Sequence, residues 1–538
     1  MRSAHAARWG LIAILAAVAP LAYLFTASDK LASFGDDSAS YLVLAHYFLG
    51  AAGNSLAAAW APWHSHFPPL LPLLLALSGG ANDLRIGHAL VAAMGVLALP
   101  LVHRYAARQL DSTLGGWLVA VLFMLTPTAW ISLKGILSEP LFLLLAVAAL
   151  AFFEARIADG RGAIVDYVVF GLLLGGAFLA RVLGFALVLA YAIHVVVALV
   201  RGRAAPRARM LLPFVPWIVL AGLWYALRPV VHTHADTYAS TLLGQIGDWR
   251  THPLRELHRG GAVFLAGWVA SFMAEGNVAA APTIVLALLG CLALAGMALR
   301  IAANRLDGWY VLISLAVIFP WVFSPDNTRR LLYPLLPPLM VFAAGFLAHA
   351  ARRLGLAARR RVLLYGAFAG LLAALTLPAM TLLFARSRDR EPVIPGSGYT
   401  YRDVTEYYTT IDLEEARKRV RVVVATLAGL EAIDRVTPPD AKVMWMRPEY
   451  VALLGHRRGV PFLYRWDRHT LAARIRASGA THVVVCWIYK TDLLGEEGDP
   501  LVDTAPYGRP VLRLGGGDVF TLMRVDRESL DRYLAAGA

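Results

Sequence analysis

The sequence predicts a mainly α-helical, polytopic membrane protein with a small soluble α/β domain at its C-terminal end. Three observations predict it. Hydrophobic residues make up 58% of the 538 positions and charged residues only 16%, against roughly 25% charge in ordinary soluble domains. Apolar runs near the length that spans a bilayer recur from residue 9 to residue 384; about 20 residues cross about 30 Å of hydrocarbon. Beyond residue 385 the pattern changes to short strand-like runs alternating with helical ones.

About eleven spanning helices are expected, at 9–27, 84–102, 114–131, 136–153, 164–180, 182–200, 210–228, 281–299, 308–323, 331–349 and 362–384. The first begins with Arg2 and Arg8 but lacks a small-residue cleavage site, so it is expected to stay as a span. Two shorter apolar runs are expected to lie in the interface or to re-enter. One is 67–78, with Pro68, Pro69 and Pro72 at its start. The other is 262–274, too short to cross. Trp249 and Trp268 in that region read as interfacial anchors.

This gives a membrane domain at 1–384, with outer loops 28–83 and 229–280, and a soluble domain at 385–538. Pro392, Pro395, Gly396 and Gly398 mark a linker between them. Past it, a helix at about 411–435 precedes strands at 442–446, 482–488 and 519–525. Helices at 448–456, 467–478 and 526–536 complete the pattern.

The net charge of +14 invites a nucleic-acid reading, but its placement argues otherwise. Arginines cluster in short loops between apolar runs: Arg104/Arg108, Arg156/Arg161, Arg201/Arg203, Arg300/Arg305 and Arg352/Arg353. That is the positive-inside pattern. It predicts a multi-pass protein of the inner (plasma) membrane, with a cytoplasmic N-terminus, an extracytoplasmic C-terminal domain and no nucleic-acid partner. Cys291 and Cys486 are too few for a disulfide framework and read as packing residues.

The stretch most suggestive of chemistry is Phe34-Gly35-Asp36-Asp37-Ser38-Ala39-Ser40-Tyr41, just beyond the first span. Asp37 and Tyr41 are four apart and share a helix face. A carboxylate at the mouth of an apolar cavity can serve as a general base. The same residue can equally be a helix N-cap, a position Asp favours.

That Asp-x-x-x-Tyr opening is followed by His66-Phe67-Pro68-Pro69-Leu70-Leu71-Pro72 in the same loop. Further on come Ser138-Glu139-Pro140-Leu141-Phe142 and Arg329-Arg330-Leu331-Leu332-Tyr333-Pro334. This ordered set resembles the GT-C glycosyltransferases, and within them the protein O-mannosyltransferase and lipid A aminoarabinose transferase group. The likeness covers about the first 385 residues at the level of layout. Two departures stand out: Ser38 occupies the place of the family's usual Glu, and Phe67 that of a frequent Lys. Asp36 and Asp37 are therefore both candidates for the catalytic carboxylate, and Asp37 keeps the Tyr spacing.

The resemblance implies transfer of a sugar from a polyprenyl-phosphate carrier to a hydroxyl of a lipid, glycan or protein acceptor, with inversion, on the outer side. A leaving phosphate needs cations, and Lys134, Arg181, Arg329 and Arg330 are the candidates. Tyr41, His66 and Glu139 complete the expected substrate-binding set. Long basic side chains at span ends also snorkel to headgroups, and Glu139 can pair structurally with Lys134. No cofactor is required; a divalent metal is admitted by His64/His66 or by His232/His234 with Asp236, though neither set is a strong ligand pattern. Two other classes compete, a secondary transporter and a non-catalytic scaffold of envelope glycan assembly. Ionisable residues at span ends rather than in mid-membrane disfavour the first.

Overall fold

The computed structural model describes residues 2–536 except 161, 203–206, 230–244, 246, 248, 274–279, 321–323, 357, 463–466, 487–503 and 517–518. His232, His234 and Asp236, and most of the outer loop at 229–280 before its helix, lie outside the described residues.

A helix stands at each of the eleven expected spans. Among the described residues six are long and apolar enough to cross alone, from Leu84–Gln109 to Leu363–Arg386. A bent pair makes seven if it is taken as one span: Thr113–Met124 and Pro127–Lys134 meet at a 56° bend. Here the sequence expectation of one straight helix over 114–131 fails, for a local reason. Pro127 cannot donate to the preceding turn, and Thr126 starts a new helix by accepting from Ala129 N. The apolar helices Ile12–Thr26, Ile164–Ala180 and Leu306–Ile318 are shorter than full spans. The chain is a multi-pass membrane protein.

Charge sorts the helix ends. Arg300 pairs with Asp307 (2.7 Å) and lies near Glu154, Arg305 reaches Glu154 (3.1 Å), and Arg201 caps the carbonyl of Ala302. Tyr105 donates to the same Asp307 (2.7 Å). Arg201, Arg300 and Arg305 thus gather at one end of the bundle. One turn before Arg300, Gly296 lets Ala280–Ala302 lie against Leu336–Arg353, since a Cβ there would overlap the Phe342 carbonyl.

The two short apolar runs are helices, Leu70–Ser78 and Pro253–Ala270. Trp268 is not an interfacial anchor: it is buried between helices and its indole donates to Leu286 O (2.8 Å). Trp249 is half-buried and donates to Pro320 O. Cys486 is buried and faces the Trp445 indole, whereas Cys291 is exposed on its helix.

The Pro/Gly-rich stretch after the last span is a tight turn rather than a free tether. Val393 N donates to Tyr399 O (3.1 Å), and Gly396 and Gly398 supply the positive φ the turn needs (77° and 74°). The helix Leu413–Glu431 follows, then a five-stranded sheet: β1 (Lys442–Trp445), β2 (Arg458–Pro461), β3 (His482–Cys486), β4 (Gly508–Leu514) and β5 (Phe520–Val525). Its order is β2-β1-β3-β5-β4, parallel across the first three strands and antiparallel thereafter. One hydrophobic core runs without a gap from the membrane helices through Tyr399, Tyr407 and Val424 to Trp445 and Phe520. A second, smaller cluster, with Met444, Ile475 and Met523, lies within the sheet region.

Candidate active site at the first loop

Residues 27–37 connect the first helix to Ser38–Leu49 and carry both aspartates. Asp36 turns back to accept from Ser38 N (2.9 Å) and so opens the helix. Asp37 occupies the N-cap position, yet its side chain makes no capping hydrogen bond. Instead its Oδ2 takes Nη2 of Arg330 at 2.9 Å. The cap reading therefore fits Asp36 better than Asp37.

Arg330 is delivered by the last turn of Pro325–Leu332, a helix started by Ser324 and Pro325. It also holds Glu139, through Nε at 2.9 Å and Nη2 at 2.8 Å. Glu139 begins the helix Glu139–Arg156 and is fully buried. Arg181, where the chain breaks between two apolar helices, approaches the same carboxylate at 3.1 Å and donates to Ser138 Oγ at 3.2 Å. Tyr41 closes the ring, its hydroxyl 2.7 Å from Ser138 Oγ. Five expected residues, Asp37, Tyr41, Glu139, Arg181 and Arg330, thus meet in one hydrogen-bonded cluster, beside Asp36.

Others stand apart from it. Lys134 is buried, donates to Phe25 O at 2.9 Å and lies over the Phe25 and Tyr408 rings. It pairs with neither Glu139 nor Asp37; it ties the first helix to the broken span. Arg329 pairs with Asp326 at 2.8 Å, one turn back on its own helix. His66 stacks near Phe67 (4.3 Å between rings) on the side of Asp37, whose charge it feels. Burial holds both histidines toward the neutral form, His64 down to about 4. Their rings are 6.5 Å apart. Among the described residues no group of three His, Cys, Asp or Glu side chains is placed to hold a metal ion.

The two aspartates differ electrostatically. Burial pushes the Asp36 carboxyl up, against the pull of Arg330. Burial acts upward on Asp37 too, but the guanidiniums of Arg330 and Arg181, then Arg447, hold it below the usual range. Asp37 stays ionised.

Three further residues were not among those the sequence singled out. Arg447 and Tyr450 both donate to the Phe34 carbonyl, at 3.0 and 2.7 Å. Glu406 accepts from Ser33 Oγ at 2.6 Å, and burial lifts its acid to about 7. Arg447 had one legible signal: it follows the carboxyl end of a parallel strand, β1, where α/β sheets collect ligands.

No protein-family model and no curated protein matches the sequence. Solved structures do match the fold. One is the oligosaccharyltransferase AglB from Archaeoglobus fulgidus, in complex with an inhibitory peptide and a dolichol-phosphate. It has a TM-score of 0.55 and 14% identity, over 97% of this chain and 75% of that one. Another is ArnT from Cupriavidus metallidurans bound to undecaprenyl phosphate, with a TM-score of 0.51 and 14% identity over 96% and 98% of the two chains. ArnT in the apo state gives 0.55 at 13% identity, with the same coverage. The chain therefore shares the fold of these AglB and ArnT structures.

Proposed function

We propose that the protein is an inverting glycosyltransferase that moves a sugar from a polyprenyl-phosphate carrier to an acceptor hydroxyl outside the membrane. The observation that carries this reading is the ionised Asp37 carboxylate 2.9 Å from Arg330, with Arg181 on the same buried Glu139. A base and two guanidiniums side by side suit a displacement that needs proton removal and a place for a leaving phosphate.

In the proposed step Asp37 takes the proton of the acceptor hydroxyl. The acceptor oxygen bonds to the anomeric carbon from the face opposite the phosphate. The bond from that carbon to the phosphate oxygen breaks, and its electron pair leaves with the lipid phosphate. Arg330 and Arg181 meet that charge, and guanidinium forks suit phosphate oxygens. Arg330 is shared between Asp37 and Glu139. A donor phosphate competing for it would loosen its hold on Asp37 and raise that carboxylate's basicity as the substrate arrives.

The outer placement is supported by one helix. Glu139, at the start of Glu139–Arg156, belongs to the site, and Glu154, near its other end, belongs to the arginine-rich network. At 1.5 Å per residue those ends are about 22 Å apart, and arginine-rich ends face the cytoplasm. The bound lipid phosphates in the AglB and ArnT structures support a lipid-linked donor. The division at residue 385, and an acceptor of lipid, glycan or protein, belong to the same proposal.

The test is purified protein offered a panel of polyprenyl-phosphate sugars with acceptors, scored for release of free lipid phosphate. Asp37→Asn is expected to lower the rate by about 10²–10⁴-fold, the usual worth of a general base. Full activity in that variant would remove Asp37 from the role. No turnover with any donor would favour a scaffold or transporter.

A further inference from the structure

The loop bearing the two aspartates is held by the C-terminal part of the chain almost residue by residue. Arg402 donates to the carbonyls of Leu24 and Ala27 (3.2 and 3.0 Å). Ser28 donates to Asp403 (3.1 Å), and Lys30 pairs with Glu431 (2.8 Å). Thr405 N donates to Ala32 O (2.8 Å), and Ser33 to Glu406. Then Arg447 and Tyr450 converge on Phe34 O, two residues before Asp36.

That last contact is the most specific. Tyr450 is fully buried, and Arg447 is itself fixed by Glu449 at 2.9 Å, a carboxylate almost out of solvent. Both belong to the turn and helix that follow β1, so a strand of the sheet aims them. A carbonyl has two lone pairs, and both have a charged or phenolic donor here. Supports of this kind fix the residues that do chemistry and often decide rate.

We propose that Arg447 and Tyr450 are positioning residues of the transfer site. By gripping the Phe34 carbonyl they set where Asp36 and Asp37 stand, so the C-terminal unit is a wall of the site. This rests on the transferase reading for its effect on rate, though not for its effect on the loop.

The experiment compares the full-length wild type with Tyr450→Phe, Arg447→Lys and Arg447→Met, and with Glu528→Gln, an exposed control on the last helix. Hydrogen exchange of residues 31–38 is read first, without substrate. Exchange is expected to rise at least fivefold in the three variants and not in the control, with thermal midpoints showing that all remain folded. Turnover is read next. Tyr450→Phe and Arg447→Lys are expected to lose 10- to 100-fold in kcat with donor KM within twofold. The pH profile then separates positioning from mere packing. Arg447 favours the ionised form of Asp37, so Arg447→Met is expected to move the acidic limb to higher pH, whereas Tyr450→Phe leaves it in place. Unchanged exchange with unchanged kcat would overturn the proposal, as would loss of kcat with no change in exchange. Raised exchange in a protein whose wild type turns over no donor would fail the transferase reading and leave the hold on the loop standing.

Discussion

Arg330 answers two needs with one side chain: it neutralises a buried carboxylate and it stands beside the proposed base. Those needs separate on mutation. Arg330→Met leaves fully buried Glu139 with Arg181 alone, and breaking such a pair costs about 3–5 kcal/mol. It is expected to lower the thermal midpoint clearly, whereas Asp37→Asn, at a third-exposed side chain, leaves it nearly unchanged. Equal losses in the two variants would contradict this split. Glu406 gives a pH prediction. Its acid is raised from 4.5 to about 7 by burial, so the folded state holds its proton more tightly than the unfolded chain. Its contribution to stability is complete below about pH 4.5 and is lost as pH rises through about 7. The wild type is expected to lose thermal stability across that window, and Glu406→Gln to flatten the change. A variant whose profile parallels the wild type would show that another group is responsible. The residues legible in the sequence were those marked by local spacing or by charge in an apolar setting, Asp37 with Tyr41 and Arg181 with Glu139. Lys134 carries the same marks, but position along the chain does not say which way a side chain turns.

Among the elements, Gly296 gives the sharpest test. The helices Ala280–Ala302 and Leu336–Arg353 touch where a methyl group would strike a backbone oxygen, which cannot rotate away. Gly296→Ala is expected to cost about 1–3 kcal/mol through overpacking, read as a lower thermal midpoint in detergent. Gly366→Ala, with open space around it, is expected to cost nothing. Helices were legible because each apolar run is long enough to announce itself. Breaks were harder: Pro127 interrupts a run whose length and composition read as one span. The sheet was half legible. β1, β3 and β5 are apolar and buried, and their patterns show it. β2 and β4 are edge strands holding Pro461 and Pro510, residues that argue against a strand in any local reading and are tolerated only at an edge.

For the molecule as a whole, the continuous core and the stapled loop imply joint unfolding of the membrane bundle and the C-terminal unit. A single thermal transition is expected, seen alike by helix signal and by the environment of Trp445, which is fully buried at the end of β1. Two separated transitions would show independent units. Composition and span lengths made the bundle legible, yet nothing local foretold that the aspartate loop and the sheet region share one structure. Partners such as Phe34 and Tyr450 lie 416 positions apart, and no periodicity carries information over that distance.

The same separation sets a timetable for biogenesis. A ribosome delivers Asp36 and Asp37 several hundred residues before Arg402, Glu406, Arg447 and Tyr450. Throughout insertion of the spans the aspartate loop has none of these fastenings. On the proposed transferase reading, competence for chemistry is acquired only once these later residues have emerged, and a polypeptide released before them is expected to be inert however well its helices have entered the bilayer.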